Sequence, residues 1–180
     1  MKYAIGLFAA AAIAQPAAAD IVESSESGFA TRHTALVEAD RATVWNELLH
    51  PERWWSHTWS DDPANLRLEA RAGGCFCETL PAVDGWPAGS VEHMRVVFVQ
   101  PGSTLRMSGS LGPLQSEGLV GTLTVTLEEV EGGLTRITWG YITGGQAHFD
   151  LAQIAPVVDR VQGEFLGGLV DAVGGAVEEG

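Results

Sequence analysis

Lysine is almost absent from this sequence. Lys2 is the only lysine among 10 basic residues, against 23 acidic residues, and the formal net charge is −13. Nucleic acids and anionic membrane surfaces are bound through basic faces, so this composition argues against either as a partner. An acidic excess of this kind is typical of a well-solvated surface.

Cysteine is scarce as well, with only Cys75 and Cys77. Residues two positions apart on a strand point to the same side, and their Cα atoms lie near the upper limit for a bridge. We therefore expect no disulfide between them. The sequence also lacks a Ser-His-Asp order, a phosphate-binding loop, an HExxH motif and a dinucleotide-binding fingerprint. No common catalytic signature therefore assigns a reaction.

Long hydrophobic runs are confined to the N-terminus. Lys2 gives a positive start, residues 3–13 are apolar and alanine-rich, and three alanines precede Asp20. This order is that of a secretory signal peptide, and the run is short for a membrane span. We predict a signal peptide over 1–19, no membrane span after its removal, and a periplasmic or secreted protein. A retained N-terminal anchor or a buried helix is the alternative.

The rest of the chain suits one domain, because 46% of all residues are hydrophobic. Residues 20–28 are polar and indicate a loose leader before a domain over 29–180. Asp40 is expected to cap a short helix over 42–49, and Pro51 to begin a second short helical turn. Alternation and turn residues predict seven strands, over 29–38, 66–70, 75–80, 91–100, 104–110, 119–130 and 134–143.

The last stretch changes to a helical period. Its apolar residues recur at steps of three and four: Leu151, Ile154, Val158, Val161, Phe165, Leu169, Ala172 and Ala176. Glycines in and beside this stretch either let the helix approach the sheet closely or leave room for a cavity. Hairpin-linked strands form an antiparallel sheet with one face to cover, and this helix is the only long element available. We therefore predict an α+β fold with a curved antiparallel sheet around a C-terminal helix.

Four segments in this order resemble the START-like (SRPBCC) superfamily, closest to its branch of polyketide cyclases and heat-shock-protein ATPase activators. They are ADRATVWNELLHPERWW, LEARAGGCFCE, VEHMRVVFVQPGSTLRM, and LTRITWGYITGG with the helix after it. The resemblance implies a helix-grip fold with a hydrophobic pocket between sheet and helix. Its members bind apolar or amphipathic small molecules, and some catalyse cyclisations. No universal catalytic residue comes with the fold, and we expect no cofactor.

Aromatic residues supply the first candidate ligand contacts. Trp54, Trp55, His57 and Trp59 cluster after the first helices. Tryptophan buries a large area and keeps one N–H donor, so Trp54 and Trp55 either line the pocket or pack in the core. His57 and Trp59 are expected at the pocket mouth. The other candidate ligand contacts are Phe76, Glu78, Trp139, Tyr141, Val161 and Phe165.

The strand over 75–80 leaves two orientations open. Alternation puts both thiols on one face and Phe76 and Glu78 on the other. If the thiols of Cys75 and Cys77 face inward, they lie within reach of a ligand or a soft metal, and His93 or Met94 is then a candidate to complete a partial copper or zinc site. Only one of those two can join, because neighbours on a strand point to opposite faces. The alternatives are small buried or half-buried cysteines without a ligand, and redox or covalent thiol chemistry. If Phe76 faces the helix, the thiols point outward and Glu78 points inward.

Glu78 and His93, with Glu92 nearby, form a candidate catalytic pair. A buried carboxylate beside a histidine can act as acid and base on a bound carbonyl compound. The simpler alternative is an exposed charge pair, such as Glu78 with Arg95.

Three functions follow from these patterns. The leading hypothesis is a non-enzymatic or weakly catalytic binder of a hydrophobic small molecule. The second is a cyclase-type or dehydrase-type enzyme that uses Glu78 and His93. The third is soft-metal binding through Cys75 and Cys77. The remaining histidines, His33, His50 and His148, are expected in surface or capping roles.

Overall fold

A single antiparallel sheet dominates the computed structural model, which describes residues 20–177. Its strands run in the order β1-β2-β8-β7-β6-β5-β4-β3. The elements are β1 (Asp20–Ser25), β2 (Gly28–Val37), α1 (Arg41–Leu48), β3 (Leu66–Leu68), β4 (Cys75–Leu80), β5 (Gly89–Gln100), β6 (Thr104–Ser108), β7 (Gly118–Glu129), β8 (Thr135–Gln146) and α2 (Leu151–Ala172). The sheet curves around α2, so the predicted α+β helix-grip architecture is confirmed.

The sheet has eight strands rather than seven, because the predicted leader is wrong. Residues 20–25 form β1, which pairs antiparallel with β2. Its residues 21–25 are all exposed. Pairing at a sheet edge needs backbone groups only, so no apolar alternation was there to reveal the strand.

The helices that follow β2 are confirmed. The Asp40 side chain accepts a hydrogen bond of 2.7 Å from the Thr43 backbone N–H and caps α1. This helix buries Val44, Trp45 and Leu48. A 3-10 turn over Pro51–Arg53 follows and delivers the tryptophans after it to the concave side of the sheet.

An irregularity in the β4–β5 pairing sets the side-chain pattern near the site. Phe76 pairs with Met94, whereas Cys77 pairs with Glu92, so His93 is one extra residue on β5. Such a bulge breaks the alternation of faces. His93 and Met94 are therefore both buried, at 3% and 0% exposure. The expectation that they point to opposite sides is wrong for this reason.

Helix α2 packs across the sheet with polar as well as apolar side chains. Gln162 accepts a hydrogen bond of 2.8 Å from the indole N–H of Trp139. Asp159 Oδ1 lies 2.9 Å from His33 Nε2, and both residues are buried. His33 is therefore not a surface residue as expected, because it shares the inward face of β2 with Phe29 and Thr31.

The glycines of α2 show where the helix comes close to its neighbours. A Cβ at Gly168 would collide with the backbone carbonyl of Trp54, and a Cβ at Gly163 would lie 3.1 Å from the His33 ring. Close approach therefore explains these two positions. The helix ends at Ala172, earlier than the stripe predicted, and Gly174 and Gly175 then adopt φ of 108° and 93°. Within residues 20–177, no helix is long and apolar enough to cross a membrane.

Candidate functional site

A cavity of about 380 Å³ opens between the concave face of the sheet and α2. This volume lies in the range of small-molecule sites, which are commonly clefts of about 300–1,000 Å³. Its walls come from the loop after the first helices, the inner ends of β5 and β8, the connection between β6 and β7, and one side of α2. The lining residues are Trp55, His57, Thr58, Trp59, His93, Leu111, Gly112, Pro113, Leu114, Tyr141, Ile154, Val157, Val158, Val161, Gln162 and Phe165.

Stacked aromatic rings form one wall. The rings of Trp55 and Phe165 lie 3.5 Å apart between centroids, with an angle of 15° between their planes. Trp55 also packs edge-on against Phe76, with centroids 4.8 Å apart. An edge-on pair such as Trp55–Phe76 contributes about 0.5–1.5 kcal/mol beyond its buried area. The wall is therefore joined to the core of the sheet through Phe76.

A buried carboxylate–imidazole pair lies at the sheet side of the cavity. Glu78 Oε2 is 2.9 Å from His93 Nε2. The same carboxylate accepts hydrogen bonds from the backbone N–H groups of Trp59 at 3.0 Å and Ser60 at 2.6 Å. His93 lines the cavity, and Glu78 lies behind it with 0% exposure. The carboxylate thus fixes both the imidazole and the loop at the cavity mouth.

The protonation states of this pair follow from burial and hydrogen bonding. Burial alone would raise the pKa of Glu78, but hydrogen bonds from Ser60, Trp59 and His93 outweigh it and lower that pKa. Burial lowers the pKa of His93, and the Glu78 carboxylate opposes part of this effect. Near neutral pH the pair is therefore a carboxylate that accepts from the Nε2–H of an uncharged imidazole. That arrangement leaves Nδ1 as a basic lone pair.

The mouth of the cavity combines exposed aromatic and charged groups. The Trp59 side chain is 52% exposed. His57 Nε2 lies 2.9 Å from the Glu164 carboxylate, and the His57 ring stands edge-on to Phe165 with centroids 5.3 Å apart. Both members of the His57–Glu164 pair are about half exposed, so the pair adds little to stability.

Seven sequence-predicted site residues come together around this cavity: Trp55, His57, Trp59, His93, Tyr141, Val161 and Phe165. Four others do not line it. Trp54, Phe76 and Trp139 pack in the core, and Glu78 lies behind His93. Trp54 and Trp139 pack against each other, with ring centroids 6.1 Å apart, and neither lines the cavity.

The cysteines lie on the opposite face of β4 from this site. Phe76 and Glu78 point inward, which was one of the two orientations left open. Cys75 and Cys77 form a disulfide with Cα atoms 5.4 Å apart. The expectation of unpaired thiols is wrong, because the sheet departs from regular pleating here and brings the two Cα atoms within bridging range.

The position of Cys75 and Cys77 on this face of β4 changes the set of candidate metal ligands. His93 points into the concave side, so it is not a ligand partner of the cysteines. Among the described residues, Glu92 is the side chain that groups with the two cysteines. Its carboxylate and the sulfurs of Cys75 and Cys77 all lie within 4.8 Å of one another. Because the sulfurs are bonded to each other, they are not the thiolates that a soft metal requires.

Sequence reasoning missed much of the remaining wall. The connection over 111–114 contributes Leu111, Gly112, Pro113 and Leu114, and this segment carries no periodic pattern that could have been read. Gln162 was missed because a polar residue in a helix suggests solvent. Its one detectable signal is its position one residue after Val161, on the flank of the apolar stripe.

The sequence matches no family model, and no curated protein matches it either. Solved structures share its fold. The Mll3558 protein of Rhizobium loti superposes with a TM-score of 0.55 at 17% identity, covering 79% of this chain and 96% of that one. SA2116 of Staphylococcus aureus, a protein of unknown function, gives 0.52 at 11% identity over 84% and 91% of the two chains. CV1439 of Chromobacterium violaceum gives 0.51 at 16% identity over 80% and 96%. At these identities the likeness shows the fold alone.

Proposed function

We propose that this protein binds a hydrophobic or amphipathic small molecule in the cavity between the sheet and α2. The observation that carries the proposal is the cavity itself, about 380 Å³ in volume and walled by Trp55, Phe165 and the valines of α2. Space of this size beside an apolar helix face is unfavourable when filled only by water, and an apolar molecule that enters it gains buried area.

Membership in the START-like superfamily is part of this proposal. It is supported by the order of strand, short helices, antiparallel strands and long final helix, together with the four segments quoted above. Action in the periplasm or outside the cell is supported by the signal-peptide pattern over residues 1–19, which lie outside the described residues.

Binding is tested with N-phenyl-1-naphthylamine, an uncharged apolar dye whose fluorescence rises on transfer out of water. Val161→Trp places a large side chain in the cavity, whereas Val120→Trp adds the same side chain at a position that is 66% exposed. Wild type and Val120→Trp are expected to bind the dye, and Val161→Trp to bind it at least about tenfold more weakly. Equal binding by both variants, or no binding by wild type, would contradict the proposal.

A companion experiment identifies the natural ligand. The protein is expressed with its own N-terminal segment, purified without detergent and analysed by native mass spectrometry. A mass increment in wild type that is lost in Val161→Trp and kept in Val120→Trp would identify the molecule that occupies the cavity.

The Glu78–His93 pair supports a second candidate function, a cyclase-type or dehydrase-type enzyme. An uncharged imidazole oriented by a carboxylate at 2.9 Å is a competent general base. His93 would take a proton from the carbon next to a carbonyl, giving an enolate, while Glu78 would orient the ring. In heavy water, exchange of the α-protons of 1-tetralone, followed by NMR, tests this. His93→Gln is expected to slow the exchange by about 100-fold or more, whereas equal rates would remove the enzyme hypothesis.

A further inference from the structure

Cys75 and Cys77 form a disulfide that contributes little to holding the fold together. The bridge closes a loop with one residue, Phe76, between its ends. A disulfide stabilises mainly by restricting the unfolded chain, and this restriction grows with the length of the loop that it closes. Both cysteines also lie on β4, whose backbone is already paired with β3 on one side and β5 on the other. The bridge therefore joins no elements that the sheet leaves apart.

The bridge lies on the outer face of the sheet, away from the cavity, and its two sulfurs differ in exposure. Cys75 is half-buried, whereas Cys77 is only 5% exposed. A thiol that approaches from solvent therefore meets the Cys75 sulfur first. Exposed disulfides are more easily reduced than structural ones, and the regulatory and catalytic disulfides of proteins belong to this class. The bridge has this accessibility at one of its two sulfurs.

Charged side chains on the neighbouring strands face both sulfurs. The exposed Arg67 of β3 lies directly opposite Cys77. The exposed Arg95 of β5 lies directly opposite Cys75. Side chains in opposite positions have Cβ atoms about 4.5–5.5 Å apart, and a cation at this range stabilises the thiolate that forms when a disulfide opens. The Glu92 carboxylate, itself paired with Arg95, lies 3.9 Å from the Cys75 sulfur and is placed to accept a hydrogen bond from its reduced S–H group.

We infer that the Cys75–Cys77 bridge is a redox-active disulfide that oxidises an accessible dithiol. A thiolate of the dithiol attacks the Cys75 sulfur, the bond between the two cysteines breaks, and Cys77 leaves as a thiolate beside Arg67. The second thiolate of the dithiol then attacks the substrate sulfur that is bonded to Cys75, so the substrate leaves as a disulfide and Cys75 is released. Two electrons pass from the substrate to the bridge, and the two protons of the substrate thiols end on Cys75 and Cys77.

Exchange is tested on the purified protein in buffers of reduced and oxidised glutathione, with free thiols alkylated by iodoacetamide and counted by mass spectrometry. The protein is expected to reach the same mixture of dithiol and disulfide from either starting form, without denaturant. Reduction is expected to shift the melting temperature by less than about 5 °C, because the bridge closes so short a loop. Oxidation of dithiothreitol alone would identify a small dithiol as the substrate, and oxidation of reduced, unfolded ribonuclease as well would identify a protein dithiol.

Single substitutions test the roles of the two sulfurs and of Arg67. Cys77→Ser leaves only the Cys75 thiol, which should react with dithiodipyridine about tenfold faster than the Cys77 thiol that remains in Cys75→Ser. Arg67→Gln removes the cation beside the leaving sulfur and should slow reduction of the bridge by dithiothreitol about threefold. Arg32→Gln removes an exposed arginine on the distant strand β2, so it is the matched control and should leave the rate unchanged.

Three results would overturn the inference or its mechanism. A bridge that stays intact in reduced glutathione until urea unfolds the protein would be structural, and the inference would be wrong. Two thiols that oxidised glutathione does not join in the folded protein would contradict it as well. Equal reaction of Cys75 and Cys77 with dithiodipyridine, or equal slowing by Arg67→Gln and Arg32→Gln, would show that the proposed order of attack is wrong. These measurements do not depend on ligand binding in the cavity, so the two proposals fail separately.

Discussion

Replacing the buried carboxylate of Glu78 by an amide tests the interactions that hold the site together. In the structure Oε1 accepts from the Ser60 N–H, and Oε2 accepts from both the Trp59 N–H and His93. Glu78→Gln keeps the shape and converts one oxygen into a donor. In either orientation of the amide, one backbone N–H then faces another donor. A change of the His93 tautomer can relieve the contact with His93 but not the contact with a backbone N–H.

The expected loss follows from this count. A hydrogen bond to a charged acceptor contributes about 1.5–3 kcal/mol, and an unsatisfied buried donor costs a similar amount, reduced here because the loop donors lie near the cavity mouth. We expect the free energy of unfolding to fall by about 2–4 kcal/mol, which a domain with about 5–15 kcal/mol can survive.

Urea unfolding at neutral pH, followed by tryptophan fluorescence, measures this loss. The matched control is Glu92→Gln on the neighbouring strand, whose carboxylate forms an exposed pair with Arg95 and should change stability by less than about 1 kcal/mol. Equal stabilities for the two variants would show that the Glu78 carboxylate is not held by its three donors.

Two further predictions concern pH and the helix. Burial depresses the pKa of His93 below 6.5, so the unfolded chain binds the proton more readily than the folded chain. The free energy of unfolding should therefore fall as the pH drops below about 6.5. Glu78, whose pKa is lowered from 4.5, adds a further loss of stability at more acidic pH. Thermal melts between about pH 7 and pH 5 should show a smaller loss in His93→Gln than in wild type, and parallel curves would refute the assignment. Gly168→Ala should lower the melting temperature because the added Cβ would collide with the Trp54 carbonyl. Gly167→Ala adds a Cβ with nothing within 4 Å and should raise the melting temperature slightly through helix propensity. A higher melting temperature in both variants would mean that α2 does not pack closely against Trp54.

Regular periodicity made most of the fold predictable from the sequence. From Leu119 to Leu127, buried residues of β7 alternate with half-buried or exposed ones, and this period of two gave both the existence of the strand and its inward face. The period of α2 identified the long helix in the same way. β1 could not be predicted from periodicity, because pairing at a sheet edge through backbone atoms leaves no pattern in the side chains.

The candidate site was less predictable because it depends on one irregular step between strands. The extra residue at His93 turns its imidazole to the same side as Glu78, and the two come within 2.9 Å. Strict alternation had placed Met94 and His93 on opposite faces. A bulge is fixed by the pairing of two strands, so the sequence of either strand alone does not reveal it.

The rotation of α2 about its axis explains why a cavity exists at all. The predicted apolar stripe contains Ile154, Val158 and Val161, yet these side chains are only half-buried. Leu151, Phe165 and Leu169 of that stripe are buried, and each of the other buried positions lies one residue beyond a stripe residue: Ala155, Asp159, Gln162, Leu166 and Val170. One residue is about 100° of helix rotation.

Polar contacts account for this rotation. Gln162 accepts from Trp139 at 2.8 Å, and Asp159 lies 2.9 Å from His33, so α2 meets the sheet through these side chains. Leaving Gln162 buried without its partner would cost more than leaving a valine half-exposed. Three residues of the apolar stripe, Ile154, Val158 and Val161, are therefore turned toward the cavity, where an apolar molecule would complete the burial that the sheet does not provide.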